Sequence, residues 1–90
     1  MLKNIYKVPN GKLLKISLER KNGKIEKISI TGDFFAHPEN CIEKIEKGLL
    51  KKEFEKENLE NSIKKIIIKN DYKIFGFDEK SLTEAILGCS

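Results

Sequence analysis

The hydrophobic pattern of the chain changes period at Thr31-Gly32-Asp33-Phe34-Phe35-Ala36-His37-Pro38-Glu39, and that change limits what the chain can fold into. Upstream, apolar residues alternate with polar ones, the signature of half-buried strands. Downstream, they recur three and four residues apart, as on one face of a helix. The junction itself is built to turn. Gly32 can take a backbone conformation that a residue with a Cβ would strain to reach. Asp33 is a short acceptor suited to bonding nearby backbone N–H groups, and Pro38 suits a first helical position, where a missing N–H costs nothing. Two adjacent phenylalanines, Phe34 and Phe35, cannot both be buried by a small sheet without special arrangement. At least one ring is expected to meet something else.

The first half reads as a meander of three strands, Asn4 to Val8, Leu13 to Arg20 and Ile25 to Thr31. Both connections contain Asn-Gly. At Asn22-Gly23 a two-residue turn would pair Leu18 with Lys27 and Ile16 with Ser29, mixing apolar and polar faces. A three-residue loop, Lys21-Asn22-Gly23, pairs Leu18 with Glu26, Ile16 with Ile28 and Leu14 with Ile30. Because a one-residue slip turns every side chain to the other face, face consistency selects the three-residue loop. The same reasoning at Pro9-Asn10-Gly11 sets Tyr6 beside Leu14.

The second half reads as helical. Pro38 to about Leu50 carries Ile42, Ile45 and Leu49 at helical spacing, with Glu39 early and Lys47, Lys51 and Lys52 late, matching the macrodipole. A second helix is expected from Asn58, its N-cap, to Lys69, and a third from Asp78 to the terminating Gly88. Between them Tyr72-Lys73-Ile74-Phe75-Gly76-Phe77 reads as an aromatic connection plugging the helix layer. The sum is an α+β domain over residues 1–90, a three-stranded antiparallel meander with about three helices packed on one face.

Composition sets outer bounds. Ninety residues make one domain, and 39% hydrophobic with 36% charged residues reads as globular and soluble. No apolar run approaches the ~20 residues that span a bilayer, and the N-terminus lacks a signal-peptide core, so no membrane association and a cytoplasmic location are expected. The net charge is only +4, lysine outnumbers arginine 17 to 1, and Lys and Glu interleave along the helices. That pattern favours a solvated face over a nucleic-acid stripe, which would more often show arginine with interleaved aromatics.

Catalytic chemistry is sparse. There is no Gly-rich phosphate loop, and no Ser or Cys has a base at recognisable spacing. Cys41, Cys89 and the lone His37 do not make a zinc site. Cys41 lies near an expected helix N-terminus, which can depress a thiol pKa, but no base accompanies it. Asp33 has no second acid placed to share a proton, so a turn-forming role is preferred to a catalytic one. No metal ligands and no catalytic residues are assigned.

The Thr31–Glu39 string, together with Pro9-Asn10-Gly11-Lys12-Leu13-Leu14, resembles the accessory C-terminal domain of lipoate–protein ligases. The resemblance runs from about Tyr6 to Leu49, with a further similarity from Gly76 to Leu82; Asn10 departs from it, standing where a second glycine is common. In some archaea and bacteria that domain is a separate chain, the small subunit of a bipartite ligase, and the present chain, with its own Met1 and nothing like a catalytic domain before it, is expected to be such a subunit. The resemblance implies a subunit inert alone, bound as a heterodimer to a catalytic subunit that holds ATP, magnesium and lipoate. It implies a part in forming lipoyl-adenylate, from which the lipoyl group passes to a lysine of an acceptor domain. Gly32, Asp33, Phe34, Phe35, His37 and Pro38 are the expected partner interface, since aromatic anchors dominate interface energetics. Two other readings compete: an iron–sulfur scaffold or sulfur-transfer adaptor, which needs a reactive exposed Cys41, and a small basic RNA-binding module.

Overall fold

The strand that organises the domain is the second. In a computed structural model describing residues 1–90, strands β1 (Leu2–Lys7), β2 (Leu13–Lys21) and β3 (Lys24–Gly32) form an antiparallel sheet in that order. Leu14, Ile16 and Leu18 of central β2 are all essentially fully buried, as alternation requires of a strand with one wet face. Three helices cover that face: α1 (Cys41–Leu49), α2 (Lys56–Lys69) and α3 (Glu79–Leu87). Helix α1 packs on β3, α3 on β1 and β2, and α2 against both of these helices. Their apolar stripes supply Ile45 and Leu49, Leu59 and Ile63, and Leu82, Ala85 and Ile86, all with no accessible surface. Each fully buried Leu or Ile stabilises the fold by about 1.5–3 kcal/mol in transfer free energy. The α+β meander expected from the pattern is the fold observed.

The β2–β3 register differs from expectation. Asn22 (φ 54°) and Gly23 (φ 76°) form a two-residue turn, with Lys21 opposite Lys24 and Arg20 opposite Ile25. A bulge follows: Glu19 faces Lys27, leaving Glu26 without a partner. Leu18 therefore pairs with Ile28, Ile16 with Ile30 and Leu14 with Gly32, each two residues from the expected partner. Face consistency is still obeyed, because a two-residue shift preserves it and the bulge absorbs the odd residue. It also turns Ile25 into the core alongside Ile30 and sets Arg20 over the Phe54 ring, 3.9 Å from its centroid. Tyr6 pairs with Leu14 as expected.

The helix starts also move. Helix α1 begins at Cys41, not Pro38, because Phe35–His37 forms a short strand, β4, paired with β5 (Lys73–Phe75). The residue before a proline disfavours helical backbone, and strand pairing holds His37 extended. Glu39 thus lies outside the helix and Glu43 is the acid of its first turn; Lys51 and Lys52 lie beyond its end. Helix α2 starts earlier than expected. Glu55 is its cap, accepting from the N–H groups of Glu57 and Asn58 at 3.1 and 3.3 Å.

Asp78 does cap α3. Its carboxylate accepts from the Ser81 N–H at 2.8 Å while Ser81 Oγ accepts from the Asp78 N–H at 2.9 Å. The Ser81 N–H holds the Asp78 carboxyl below its ordinary value. A depressed carboxylate stabilises the fold fully above its unfolded pKa of about 3.9, and that stabilisation is lost as pH falls through the lower folded value. Asp78→Ala is expected to cost about 1 kcal/mol at neutral pH. Asp78→Asn, which cannot titrate, should lose less stability than the parent on acidification below about pH 4. Urea melts across pH measure both.

Candidate functional site

Three connections converge at one end of the sheet, and their backbones touch. The first is the turn between β1 and β2, where Gly11 N–H donates to Val8 O at 2.9 Å and Val8 N–H to Lys12 O at 3.0 Å. The second is Gly32–Pro38. The third, Gly76–Asp78, links β5 to α3. Lys12 N–H donates to Gly76 O at 3.0 Å, and Asp33 N–H donates to Leu13 O at 3.2 Å. Two glycines make this approach possible. Gly32 has φ 153°, and a Cβ there would run into the Leu13 carbonyl oxygen. Gly76 has φ 117°, and a Cβ there would lie 2.8 Å from Lys12 Cγ and 2.9 Å from Phe34 Cβ. Only glycine combines that backbone with that proximity.

The two adjacent phenylalanines part company here. Phe34 is half-buried against the core, its ring edge-to-face on Phe77 at 5.1 Å and 88°. Phe35 points out, 66% exposed, beside Phe75 across the β4–β5 ribbon. Phe75 is 64% exposed and the two ring centroids are 6.4 Å apart. His37 is exposed opposite Lys73, whose ammonium lies 3.0 Å from Asp71. The Asp33 side chain is exposed and makes no hydrogen bond; its backbone N–H holds the turn in place of the expected carboxylate. Pro38 is exposed in the turn before α1. Thus Gly32 and Phe34 serve the interior of this end. Asp33, Phe35, His37 and Pro38 face solvent.

Sequence reasoning missed the second half of the exposed pair. Phe75 and Lys73 stand on β5, a strand too short for periodicity to separate from the loop around it. The available signal was Gly76 at the end of an alternating apolar run, which marks close backbone approach.

The arrangement offers contact surface and few reactive groups. Cys41 is fully buried, and burial pushes its thiol above the usual range despite the lowering effect of neighbouring backbone N–H groups. A thiol that is buried and protonated is neither a nucleophile nor a sulfur carrier, so the sulfur-transfer reading loses its one candidate. No three His, Cys, Asp or Glu side chains come together as metal ligands. No helix is long and apolar enough to cross a membrane.

A model of the family described as the bacterial lipoate–protein ligase C-terminus matches residues 2–86. The chain belongs to that family. Among solved structures, it resembles a chain from the structural analysis of an archaeal lipoylation system, a bipartite lipoate–protein ligase and its E2 lipoyl domain from Thermoplasma acidophilum. The superposition has a TM-score of 0.82 at 23% identity, over 96% of this chain and 94% of that one. At that identity the likeness speaks for the fold. No curated protein matches the sequence. The family match takes in all three converging connections, and the segments Pro9–Leu14, Thr31–Glu39 and Gly76–Leu82 meet at this one end of the sheet.

Substitutions separate its inward from its outward parts. Gly32→Ala should destabilise the chain by about 2–3 kcal/mol through backbone strain and clash, and Phe34→Ala by a similar amount through lost packing. Phe35→Ala and Phe75→Ala should each stay within about 0.5 kcal/mol of the parent, as exposed side chains do. Thermal or denaturant melts of the four variants distinguish the two groups.

Proposed function

We propose that this chain is a non-catalytic accessory subunit of a bipartite lipoate–protein ligase. It binds a catalytic subunit as a heterodimer and enables ATP-dependent formation of lipoyl-adenylate for protein lipoylation. The observation that carries this reading is the exposed Phe35–Phe75 pair, displayed on a ribbon fixed by the backbone contacts of Gly32 and Gly76. Large rings side by side in water, with the domain's own core already closed behind them, are the kind of anchor that dominates protein–protein association. Asp33 and His37 form the polar rim, with Lys12 and Lys73 beside them, and Pro38 adds apolar surface.

ATP, magnesium and lipoate belong, in this reading, to the catalytic subunit. The carboxylates at the loop end of this chain, Asp33, Glu39 and Asp71, form no ligand cluster, so no step is assigned to them through the metal. The chain's contribution is physical. A rigid cap closing against the rim of a nucleotide site excludes water and orders mobile loops, which favours the adenylation step without donating a catalytic group.

The purified chain alone should release no pyrophosphate from ATP and lipoate; with the catalytic subunit, adenylation should appear. Phe35→Ala or Phe75→Ala should weaken subunit association by about 2 kcal/mol or more, a hot-spot loss, while melting like the parent. Asp33→Asn removes charge and keeps the turn, so any loss of adenylation it causes is electrostatic. Calorimetric titration of the subunits and a pyrophosphate assay read these effects. Pyrophosphate release by this chain alone, or parent-like association of both phenylalanine variants, would overturn the reading.

A further inference from the structure

The helices leave one whole face of the sheet uncovered. Lys3, Ile5 and Lys7 of β1, Lys15 and Ser17 of β2, and Lys27, Ser29 and Thr31 of β3 point away from the core. Ile5 lies in the middle strand-row, opposite Lys15, and is 67% exposed. Lys3, Lys7, Lys15 and Lys27 face outward, joined by Lys21 and Lys24 at the turn, against Glu19, which lies 3.9 Å from Lys27, and the exposed bulge residue Glu26. Lysines thus outnumber acids on this face. The open sheet face is therefore basic.

We infer that this face is the docking surface for the acidic face of a substrate protein, the acceptor domain whose lysine is modified; the inference rests on the ligase reading above. Complementary charge selects the occupant. A surface of spaced lysines around two apolar side chains, Ile5 and Leu13, attracts carboxylates from a distance and releases them readily, which suits a partner that must leave every turnover. A permanent subunit is better held by aromatic anchors, and those are at the loop end. The two surfaces adjoin, because Lys7 and Thr31 border the turns that carry Lys12 and Phe35. A docked acceptor would thus lie beside the catalytic subunit. Nucleic acid is the less suitable occupant. The face has no aromatic ring to stack a base and no arginine, the single Arg20 being held over Phe54.

The test uses the assembled two-subunit ligase with an E2 lipoyl domain as acceptor. Lys3→Glu/Lys15→Glu and, separately, Ile5→Ser change only exposed side chains of this face. Both should melt, bind the catalytic subunit and support lipoyl-adenylate formation like the parent. The charge-reversal variant should raise the KM for the acceptor at least tenfold at low salt. It should also flatten the rise of KM with salt that the parent shows. Ile5→Ser should raise KM without altering the salt dependence. An unchanged KM in both variants overturns the inference while leaving the accessory-subunit reading intact. So does loss of catalytic-subunit binding, which would make the face part of the subunit interface. Reversal that abolishes binding of a single-stranded oligonucleotide but leaves KM untouched overturns it in favour of nucleic acid. Failure of the parent complex to adenylate lipoate removes the ligase reading itself and this inference with it.

Discussion

The backbone contact between Lys12 N–H and Gly76 O is the constraint on which the loop end depends. It ties a turn in the first strand pair to the connection entering the last helix, across more than sixty residues of chain. Gly76 must lie flat against Lys12 and Phe34 to make it, and Gly32 must lie flat against Leu13. With those two glycines in place, Phe34 closes onto Phe77 and the ribbon of β4 and β5 is set with one ring inward and one outward. The outward ring, Phe35, is then paired with Phe75 by strand register and not by any affinity of its own. The display of two aromatics to solvent follows from packing just beneath them.

This explains why the two-phenylalanine string was readable as a place but not as a division of labour. The sequence shows that two rings cannot both be buried by a small sheet. Which one goes in depends on β5, three residues long and forty positions downstream. The sheet had a similar limit. Alternation in Leu14-Lys15-Ile16-Ser17-Leu18 fixes which side chains share a face, but it is blind to a shift of two residues. The bulge at Glu26 uses that blindness: the favoured Asn-Gly turn forms, and the faces still match. Pro38 misled for a related reason. Its residue type permits a helix start, but the strand pairing of His37 decides against it. Local preference yielded in each case to a partner distant in sequence. Where the partner is local, as for Asp78 and Ser81, the cap was legible outright.

Closure of the sheet edges bears on how such a domain meets others. On the β3 side, Lys52 O accepts from Ile25 N–H, Ile25 O accepts from Lys51 N–H, and Glu46 Oε2 accepts from Ile30 N–H at 2.7 Å. On the β1 side, Ser90 exchanges both backbone hydrogen bonds with Lys3. A carboxylate over one edge donor and the Ser90 backbone over the other edge discourage strand addition, the usual hazard of a small open sheet. With the edges guarded and the inner face filled, two surfaces of opposite character are left open. The loop end is aromatic and rigid, and the outer sheet face is basic and wet. On the accessory-subunit reading proposed above, both kinds of contact are needed, one that holds a permanent partner and one that lets a substrate protein come and go. Permanence favours buried apolar area, while fast exchange favours screened charge. The fold keeps them on separate surfaces, so that neither is compromised by the requirements of the other.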